Sequence, residues 1–170
     1  MGFGQDYARL GIKEFYQKVG EDYFNPHAGD IKKLVTNLAS PNLSYLDLGC
    51  GSGVVSEALL ESGCLQITGC DPFLSAVYTN KLNLPCLDYS FEEIASGILT
   101  KSFDVIICSY AMHLVPESYL PSLLYYLSTL SQELIILTPH KRPAINHFWQ
   151  LTNEMTLNKT KLKTYQLNKG

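Results

Sequence analysis

The sequence predicts an α/β fold with three layers, in which helices cover both faces of a mostly parallel, twisted sheet. Five short apolar runs, typical of buried strands, alternate with helix-like segments between residues 45 and 138. Glycines and polar residues follow these runs, at the strand ends where open sheets of this kind bind their ligands. We therefore expect one ligand site along the carboxyl edge of the sheet.

The first strand leads into a glycine-rich loop, which reads Tyr-Leu-Asp-Leu-Gly-Cys-Gly-Ser-Gly at residues 45–53, and a helix-like segment follows at once. Glycine lets the backbone take positive φ or approach a ligand closely. A strand, a glycine loop and a helix N-terminus together present backbone N–H groups to a ligand. The spacing differs from the dinucleotide-binding fingerprint, because the third glycine comes one residue early and Val54 stands where Gly or Ala is expected.

The pattern apolar-Asp-apolar-Gly-x-Gly-x-Gly resembles the first motif of class I S-adenosylmethionine-dependent methyltransferases, which have a Rossmann-like sheet. The resemblance covers about residues 43–140. It implies that S-adenosyl-L-methionine gives its methyl group to an acceptor by direct in-line displacement, leaving S-adenosyl-L-homocysteine. It also implies cofactor contacts in and before the glycine loop, from Asp47, Gly49, Cys50, Gly51 and Gly53.

Acidic residues follow the second and third predicted strands. Asp71 lies 20 residues after Gly51, where a carboxylate can accept hydrogen bonds from both ribose hydroxyls. We place Asp71 and the adjacent Pro72 among the cofactor contacts; the alternative, compatible with this role, is that Asp71 is a helix N-cap with Pro72 as the first helical residue. The resemblance implies that Asp88 accepts from the adenine amine, with Tyr89 beside the ring, whereas the alternative is that Asp88 caps the next helix.

The loops after the fourth and fifth strands contain the candidate catalytic residues. The resemblance implies that Ser109 and Tyr110 border the methionine part of the cofactor and the transferred methyl. Tyr110, His113 and His140 are candidates for accepting a proton from the acceptor. The alternative is structural, because a lone histidine is more often a hydrogen-bonding residue than a catalytic one.

We expect residues 1–170 to form one methyltransferase domain, in which residues 1–40 are a helical segment that covers either the cleft or one sheet face. Aromatic and polar groups suit an acceptor pocket, and a cationic pair suits an anionic acceptor group, unless that pair is solvated surface. The candidate acceptor contacts are Tyr16, Tyr23, Asn25, His27, Lys141 and Arg142.

The end of the chain is predicted to differ from the family pattern. The apolar spacing over residues 144–157 predicts a helix, and the alternation over residues 161–167 predicts a final edge strand. The family usually ends with an antiparallel pair of strands, so we expect the sheet to be shortened at its C-terminal strand pair.

Composition excludes several function classes. Apolar residues make up 46% and charged residues 17%, which is typical of a globular protein, and we expect no membrane span. Five scattered cysteines predict free thiols in the cytoplasm, with the nucleus not excluded, and they favour no metal site. Residues 1–140 carry 7 basic and 15 acidic residues, a net charge of −8, which argues against non-specific nucleic-acid binding.

The acceptor is left open as a small molecule, a protein or RNA. Asn-Pro-Pro-Tyr after the fourth strand would indicate methylation of an amino group on adenine or glutamine, but the chain has Ser-Tyr-Ala-Met there. Two alternatives to a methyltransferase remain, namely a methyltransferase-like partner subunit without catalysis and a nicotinamide-dependent oxidoreductase. Parallel measurements of S-adenosylmethionine and NAD binding distinguish all three.

Overall fold

The computed structural model of the protein describes residues 26–145 and 147–168, whose strands form a single seven-stranded sheet. The strands are β1 (Ser44–Leu48), β2 (Gln66–Cys70), β3 (Cys86–Leu87), β4 (Val105–Ser109), β5 (Glu133–Thr138), β6 (Trp149–Leu157) and β7 (Thr160–Leu167). Their order across the sheet is β3-β2-β1-β4-β5-β7-β6. Strands β1 to β5 pair in parallel, and β7 pairs antiparallel with both β5 and β6.

Helices cover both faces of this sheet, which confirms the predicted layers. They are α1 (Ala28–Leu38), α2 (Val54–Glu61), α3 (Ser75–Leu82), α4 (Phe91–Ala95) and α5 (Leu120–Leu130), with a 3₁₀ turn at Met112–Leu114. One apolar cluster joins α4 and α5 to the sheet, and a second joins α1 and α2 to its other face. The chain forms these helices because their apolar residues recur at helical spacing, as in the buried leucines Leu123, Leu124, Leu127 and Leu130 of α5.

Helix α4 shows how local sequence sets an element boundary. The Ser90 side chain accepts from the Glu93 N–H, and the Glu93 carboxylate accepts from the Ser90 N–H, which makes a reciprocal capping box. Asp88 therefore does not cap this helix, and that alternative is wrong. The serine at position 90 forms the cap because it directly precedes the first helical residue.

The predicted helix over residues 144–157 is wrong, because residues 149–157 form β6. Trp149 is buried, and its indole N–H donates to the Leu124 carbonyl at 3.0 Å, so the strand is anchored on α5 at its start. Leu157 pairs with Thr160 around a two-residue turn in which Asn158 has a φ of +54°. Such a turn favours a hairpin. Every residue of β7 is paired with β6, and this pairing outweighs the helical spacing of the apolar residues in 149–157.

The expected shortening at the C-terminal end is also wrong, since β6 has 9 residues and β7 has 8. Strand β7 is not an edge strand but lies between β5 and β6, and β6 forms the edge. In the antiparallel register Lys161 pairs with Thr138, so the start of β7 lies beside the carboxyl end of β5. Two residues of β7, Lys161 and Lys163, are thereby brought toward the predicted site.

Helix α1 ends the predicted N-terminal segment and packs mainly against α2. Its Asp30 carboxylate accepts from the Asn158 side-chain amide at 2.9 Å, which joins the start of α1 to the β6–β7 turn. Residues 1–25 lie outside the described residues, and so do the candidate acceptor contacts Tyr16, Tyr23 and Asn25. In the described part of the chain, no helix is long and apolar enough to cross a membrane.

Candidate active site

The glycine loop is held to the second strand by its backbone. The N–H groups of Gly49 and Cys50 both donate to the Cys70 carbonyl, at 2.8 and 3.1 Å, and Gly53 N–H donates to the Cys50 carbonyl at 2.9 Å. All three glycines have positive φ, with values of +66°, +55° and +100° along the chain. This turn connects the end of β1 to the start of α2, and the middle glycine, Gly51, lies at its centre.

The three glycines are required for different reasons. A Cβ at Gly49 would lie 2.9 Å from the Ala111 Cβ, and a Cβ at Gly53 would overlap Leu82 and approach Tyr78. A Cβ at Gly51 would meet no atom of the described residues within 4 Å. The outer glycines therefore allow packing within the protein, whereas Gly51 faces open space, as expected of a residue that contacts a ligand.

We expect Gly51→Ala and Gly53→Ala to separate these two roles. Gly51→Ala costs only the strain of a left-handed backbone conformation, about 1–2 kcal/mol, so the variant should still fold. Because its Cβ occupies the open space beside the loop, we expect it to bind S-adenosylhomocysteine at least about tenfold more weakly. Gly53→Ala adds overpacking of roughly 1–3 kcal/mol and destabilises the fold. Urea unfolding and calorimetry measure both quantities. Normal binding by Gly51→Ala would mean that the loop is only a turn.

Asp71 faces the glycine loop from the end of β2. Its Oδ2 accepts from the Gly51 N–H at 3.1 Å, and its Oδ1 accepts from the N–H groups of Phe73 and Leu74 at 2.8 and 2.9 Å. Helix α3 begins only at Ser75, so the alternative with Pro72 as its first residue is wrong. The carboxylate instead caps the turn before α3, and this fixes its position beside Gly51.

Asp47 lies beneath the glycine loop and is almost fully buried. Its Oδ2 accepts from the Ser56 N–H and Oγ–H, at 3.2 and 2.7 Å, and the Ser56 Oγ lies 2.7 Å from the Tyr78 hydroxyl. Burial raises the pKa of the Asp47 carboxyl to about 7, because desolvation of the charged form outweighs the hydrogen bonds from Ser56. Asp47 ties β1 to the first turn of α2, and its predicted role at the cofactor stays a prediction.

Asp88 and Tyr89 follow β3 at the same edge of the sheet. The Asp88 side chain is exposed and makes no hydrogen bond to the described residues, since Ser90 caps α4 in its place. Tyr89 is half-buried against the apolar cluster of α4 and α5. The free carboxylate is available to accept from a ligand, and the adenine role of this pair stays a prediction.

The candidate catalytic residues form two groups, and the first lies on the loop directly after β4. Tyr110 has a φ of +54°, its hydroxyl lies 2.6 Å from the Thr160 Oγ1, and its ring centroid lies 4.8 Å from that of His27. Ser109 ends β4 and is half-buried. Tyr110 therefore joins the start of α1 to the start of β7, close to where the resemblance puts the transferred methyl.

The second group contains two histidines from neighbouring loops. The His113 and His140 rings meet edge to face, with centroids 5.1 Å apart. Partial desolvation and the neighbouring His140 lower the pKa of His113, which favours its neutral imidazole near pH 7. The Lys163 ammonium donates to the Lys141 carbonyl at 3.3 Å, which brings the basic side chains of β7 to the loop after β5.

Sequence reasoning missed the residues that support the site from a distance. Ser56 and Tyr78 complete the buried network of Asp47, and Thr160 holds Tyr110. The expectation of a final edge strand over residues 161–167 left the two lysines of β7 outside the site, whereas the structure places them beside β5. The Asn-Lys turn between β6 and β7 is the sequence signal for that position. Within residues 26–145 and 147–168, no three side chains are grouped as a metal site would require.

Comparison with known proteins gives the family. A family model described as a methyltransferase domain matches residues 20–164. An uncharacterized protein of Schizosaccharomyces pombe is 31% identical, over 82% of this chain and 75% of its own length. A ubiquinone biosynthesis O-methyltransferase of Coxiella burnetii is 32% identical over 60% of this chain, which spans about half of that enzyme's length. The chain belongs to the methyltransferase domain family.

The fold agrees with that family. The structure of N-methyltransferase NodS of Bradyrhizobium japonicum, solved with S-adenosyl-L-homocysteine, is similar to this one with a TM-score of 0.70. The match covers 97% of each chain at 12% sequence identity. The predicted Rossmann-like sheet is therefore confirmed, and its C-terminal antiparallel pair is complete instead of shortened as expected. The predicted class, an S-adenosylmethionine-dependent methyltransferase of class I, is confirmed as well.

Proposed function

We propose that this methyltransferase binds S-adenosylmethionine across the ends of β1, β2 and β3 and methylates a small anionic acceptor held by the loops after β4 and β5. The observation that carries the proposal is the Asp71 carboxylate 3.1 Å from the Gly51 amide, beside open space at that glycine. A fixed carboxylate next to an open glycine suits the ribose of a nucleoside cofactor.

The acceptor capacity of the two carboxylates supports this orientation of the cofactor. A carboxylate offers about four acceptor positions, and Asp71 uses three of them for backbone N–H groups. One position remains on Oδ2 for a ribose hydroxyl, and a second opens if the Gly51 N–H turns to the cofactor. Asp88, which caps no helix, can accept from the adenine amine.

Charge supports an anionic acceptor. Four basic side chains lie on the loop after β5 and on β7, and none makes an ion pair with the described residues. They are Lys141, Arg142, Lys161 and Lys163. Guanidinium and ammonium groups bind carboxylate or phosphate strongly when no protein acid competes. Glu154 lies opposite Lys163 in the register of β6 and β7, so this acid competes with a ligand for Lys163. Arg142 has no such acid opposite it among the described residues, and we therefore choose it as the group that binds the acceptor.

The main task of the protein in this reaction is to position the acceptor and the cofactor, because the methyl group never becomes bound to the protein. When bound at the ends of β1, β2 and β3, S-adenosylmethionine would supply a methyl group activated by its positively charged sulfur, and Gly51, Asp71 and Asp88 would hold it there. The protein aligns the acceptor's nucleophilic atom with this methyl group and excludes water. Neutral His113 can accept the acceptor's proton, with His140 beside it, and Tyr110 can orient the nucleophile.

The small-molecule acceptor is further supported by the relatives. The Coxiella burnetii protein and a Histophilus somni protein of 26% identity are both named ubiquinone biosynthesis O-methyltransferases. We infer an oxygen nucleophile by this analogy. A cytoplasmic location remains part of the proposal, supported by five free cysteines, and so does a single domain, supported by the family match over residues 20–164.

A panel of acceptors with labelled cofactor tests the function. We expect methyl transfer to small hydroxy-carboxylic acids and less transfer to their neutral methyl esters. Arg142→Ala should raise KM for the acid at least about tenfold, the loss of one charge-assisted hydrogen bond, and leave KM for the ester unchanged. Lys101→Ala, an exposed cation before β4, is the matched control and should change neither constant.

The rival functions give different results in the same assays. Cofactor binding without transfer to any acceptor would favour the non-catalytic partner subunit. Binding of NAD in place of S-adenosylmethionine would favour the oxidoreductase. Equal rates on acid and ester, unchanged by Arg142→Ala, would contradict the anionic acceptor while leaving methyl transfer intact.

A further inference from the structure

Two cysteines meet at the glycine loop. The Sγ atoms of Cys50, within the loop, and Cys86, at the start of β3, lie 3.7 Å apart. Cys50 N–H donates to the Cys70 carbonyl, and Cys86 pairs with Gly69 in the strand register, so the backbone of β2 holds the two residues beside each other. This approach depends on the fold, since 36 positions separate the two residues in the chain.

The two thiols differ in access. Cys86 is half-buried, whereas Cys50 is buried and desolvation raises its pKa well above the ordinary value. An oxidant from solvent therefore meets Cys86 first, and Cys50 is the neighbour that can react with the oxidised sulfur. Cys64 and Cys108 are buried elsewhere in the core, and Cys70, on the neighbouring β2, is buried with its thiol donating to the Tyr89 carbonyl at 3.4 Å.

We propose that Cys50 and Cys86 form a reversible disulfide with peroxide-class oxidants, and that this bond lowers the affinity of the glycine loop for its cofactor. The Cys86 thiolate attacks the peroxide, so a sulfur–oxygen bond forms, the oxygen–oxygen bond breaks, and water leaves after protonation. The Cys50 sulfur then attacks the Cys86 sulfenic acid, forming the disulfide and releasing a second water with the Cys50 proton. A dithiol reductant reverses the bond.

We expect bond formation to move the loop. A disulfide needs about 2.05 Å between sulfurs, so the two atoms approach by roughly 1.6 Å. Backbone hydrogen bonds from Gly69 to Pro85 and from Asp71 to Leu87 fix both sides of Cys86, at 2.9 Å each. Cys50 lies between two glycines and is the more compliant partner, so the displacement falls on the loop and on the adjacent Gly51 amide.

The effect on binding depends on the proposed cofactor site. The Gly51 nitrogen and Asp71 Oδ2 are 3.1 Å apart in the present geometry, and a shift of this size away from Asp71 takes them beyond hydrogen-bond distance. We expect the disulfide to weaken S-adenosylhomocysteine binding at least about tenfold, which corresponds to one lost hydrogen bond. Reduction should restore the original affinity.

The test treats the full, reduced chain with hydrogen peroxide. Intact mass should fall by two hydrogens, peptide mapping should link Cys50 to Cys86, and calorimetry should show the weaker, dithiothreitol-reversible binding. Cys86→Ser should keep its affinity after peroxide. Cys64→Ser, the matched control, removes a buried thiol outside the pair and should still lose affinity.

Each contrary result overturns a defined step. Oxygen adducts without a linked peptide contradict the disulfide, and a linked peptide with unchanged affinity contradicts its effect on the loop. Equal loss of affinity in oxidised Cys86→Ser would assign the effect to another thiol. Failure of the reduced protein to bind S-adenosylhomocysteine contradicts the proposed function instead, because the peptide link is detected without the cofactor.

Discussion

Asp71→Asn is expected to weaken binding of S-adenosylhomocysteine by ten- to a hundredfold while leaving the fold intact. The amide oxygen can still accept from Phe73 and Leu74, so the turn before α3 is kept. The amide nitrogen cannot accept from Gly51 or from a ribose hydroxyl, and the negative charge is lost. A charge-assisted hydrogen bond of this kind contributes roughly 1.5–3 kcal/mol.

Calorimetry gives the dissociation constant, and urea unfolding checks stability. Asp104→Asn is the matched control, because Asp104 accepts from Ser44 at the opposite edge of the sheet, with an N···O distance of 2.7 Å, and should leave binding unchanged. Asp71→Ala should be both weaker in binding and less stable, since it also removes the cap of the turn. Wild-type affinity in a folded Asp71→Asn protein contradicts the ribose role.

The parallel half of the sheet could be predicted because its signals are local. Strands β1, β2, β4 and β5 are apolar runs that end in glycine or polar residues, and parallel pairing brings those ends to one edge. The glycine loop, Asp71 and Asp88 follow from that arrangement alone. Their positions in the structure agree with a cofactor site, and their contacts with the cofactor stay predictions.

The C-terminal part could not be predicted because its decisive interactions are distant in sequence. The burial of Trp149 against Leu124 and the pairing of β7 with β5 depend on elements about 25 to 30 residues earlier. Apolar spacing alone favoured a helix there. The position of Asp47 was hidden for a similar reason, since its partners Ser56 and Tyr78 come from two different helices.

Stability should fall as pH rises from about 4 to about 7, through the buried carboxyl of Asp47. Its pKa is raised from 3.8 to about 7, mainly by desolvation. In this window the folded protein keeps a proton that the unfolded chain has lost, so deprotonation favours unfolding. The difference of about 3 pH units between the two pKa values corresponds to roughly 4 kcal/mol of unfolding free energy. The protein loses this stability between about pH 4 and about pH 7, and its stability does not change further through Asp47 above that range.

Urea unfolding at several pH values, compared with Asp47→Asn, isolates this contribution. The amide has no charge to bury and can still accept from Ser56, so the variant should lack this fall and exceed the wild type above pH 7. Ser56→Ala removes a hydrogen bond to the ionised form, which raises the pKa of Asp47 further and extends the fall to higher pH. Parallel pH profiles for the wild type and Asp47→Asn would mean that Asp47 is already ionised in the folded protein. In that case the hydrogen bonds from Ser56 and the N-terminus of α2 compensate the cost of burying its charge.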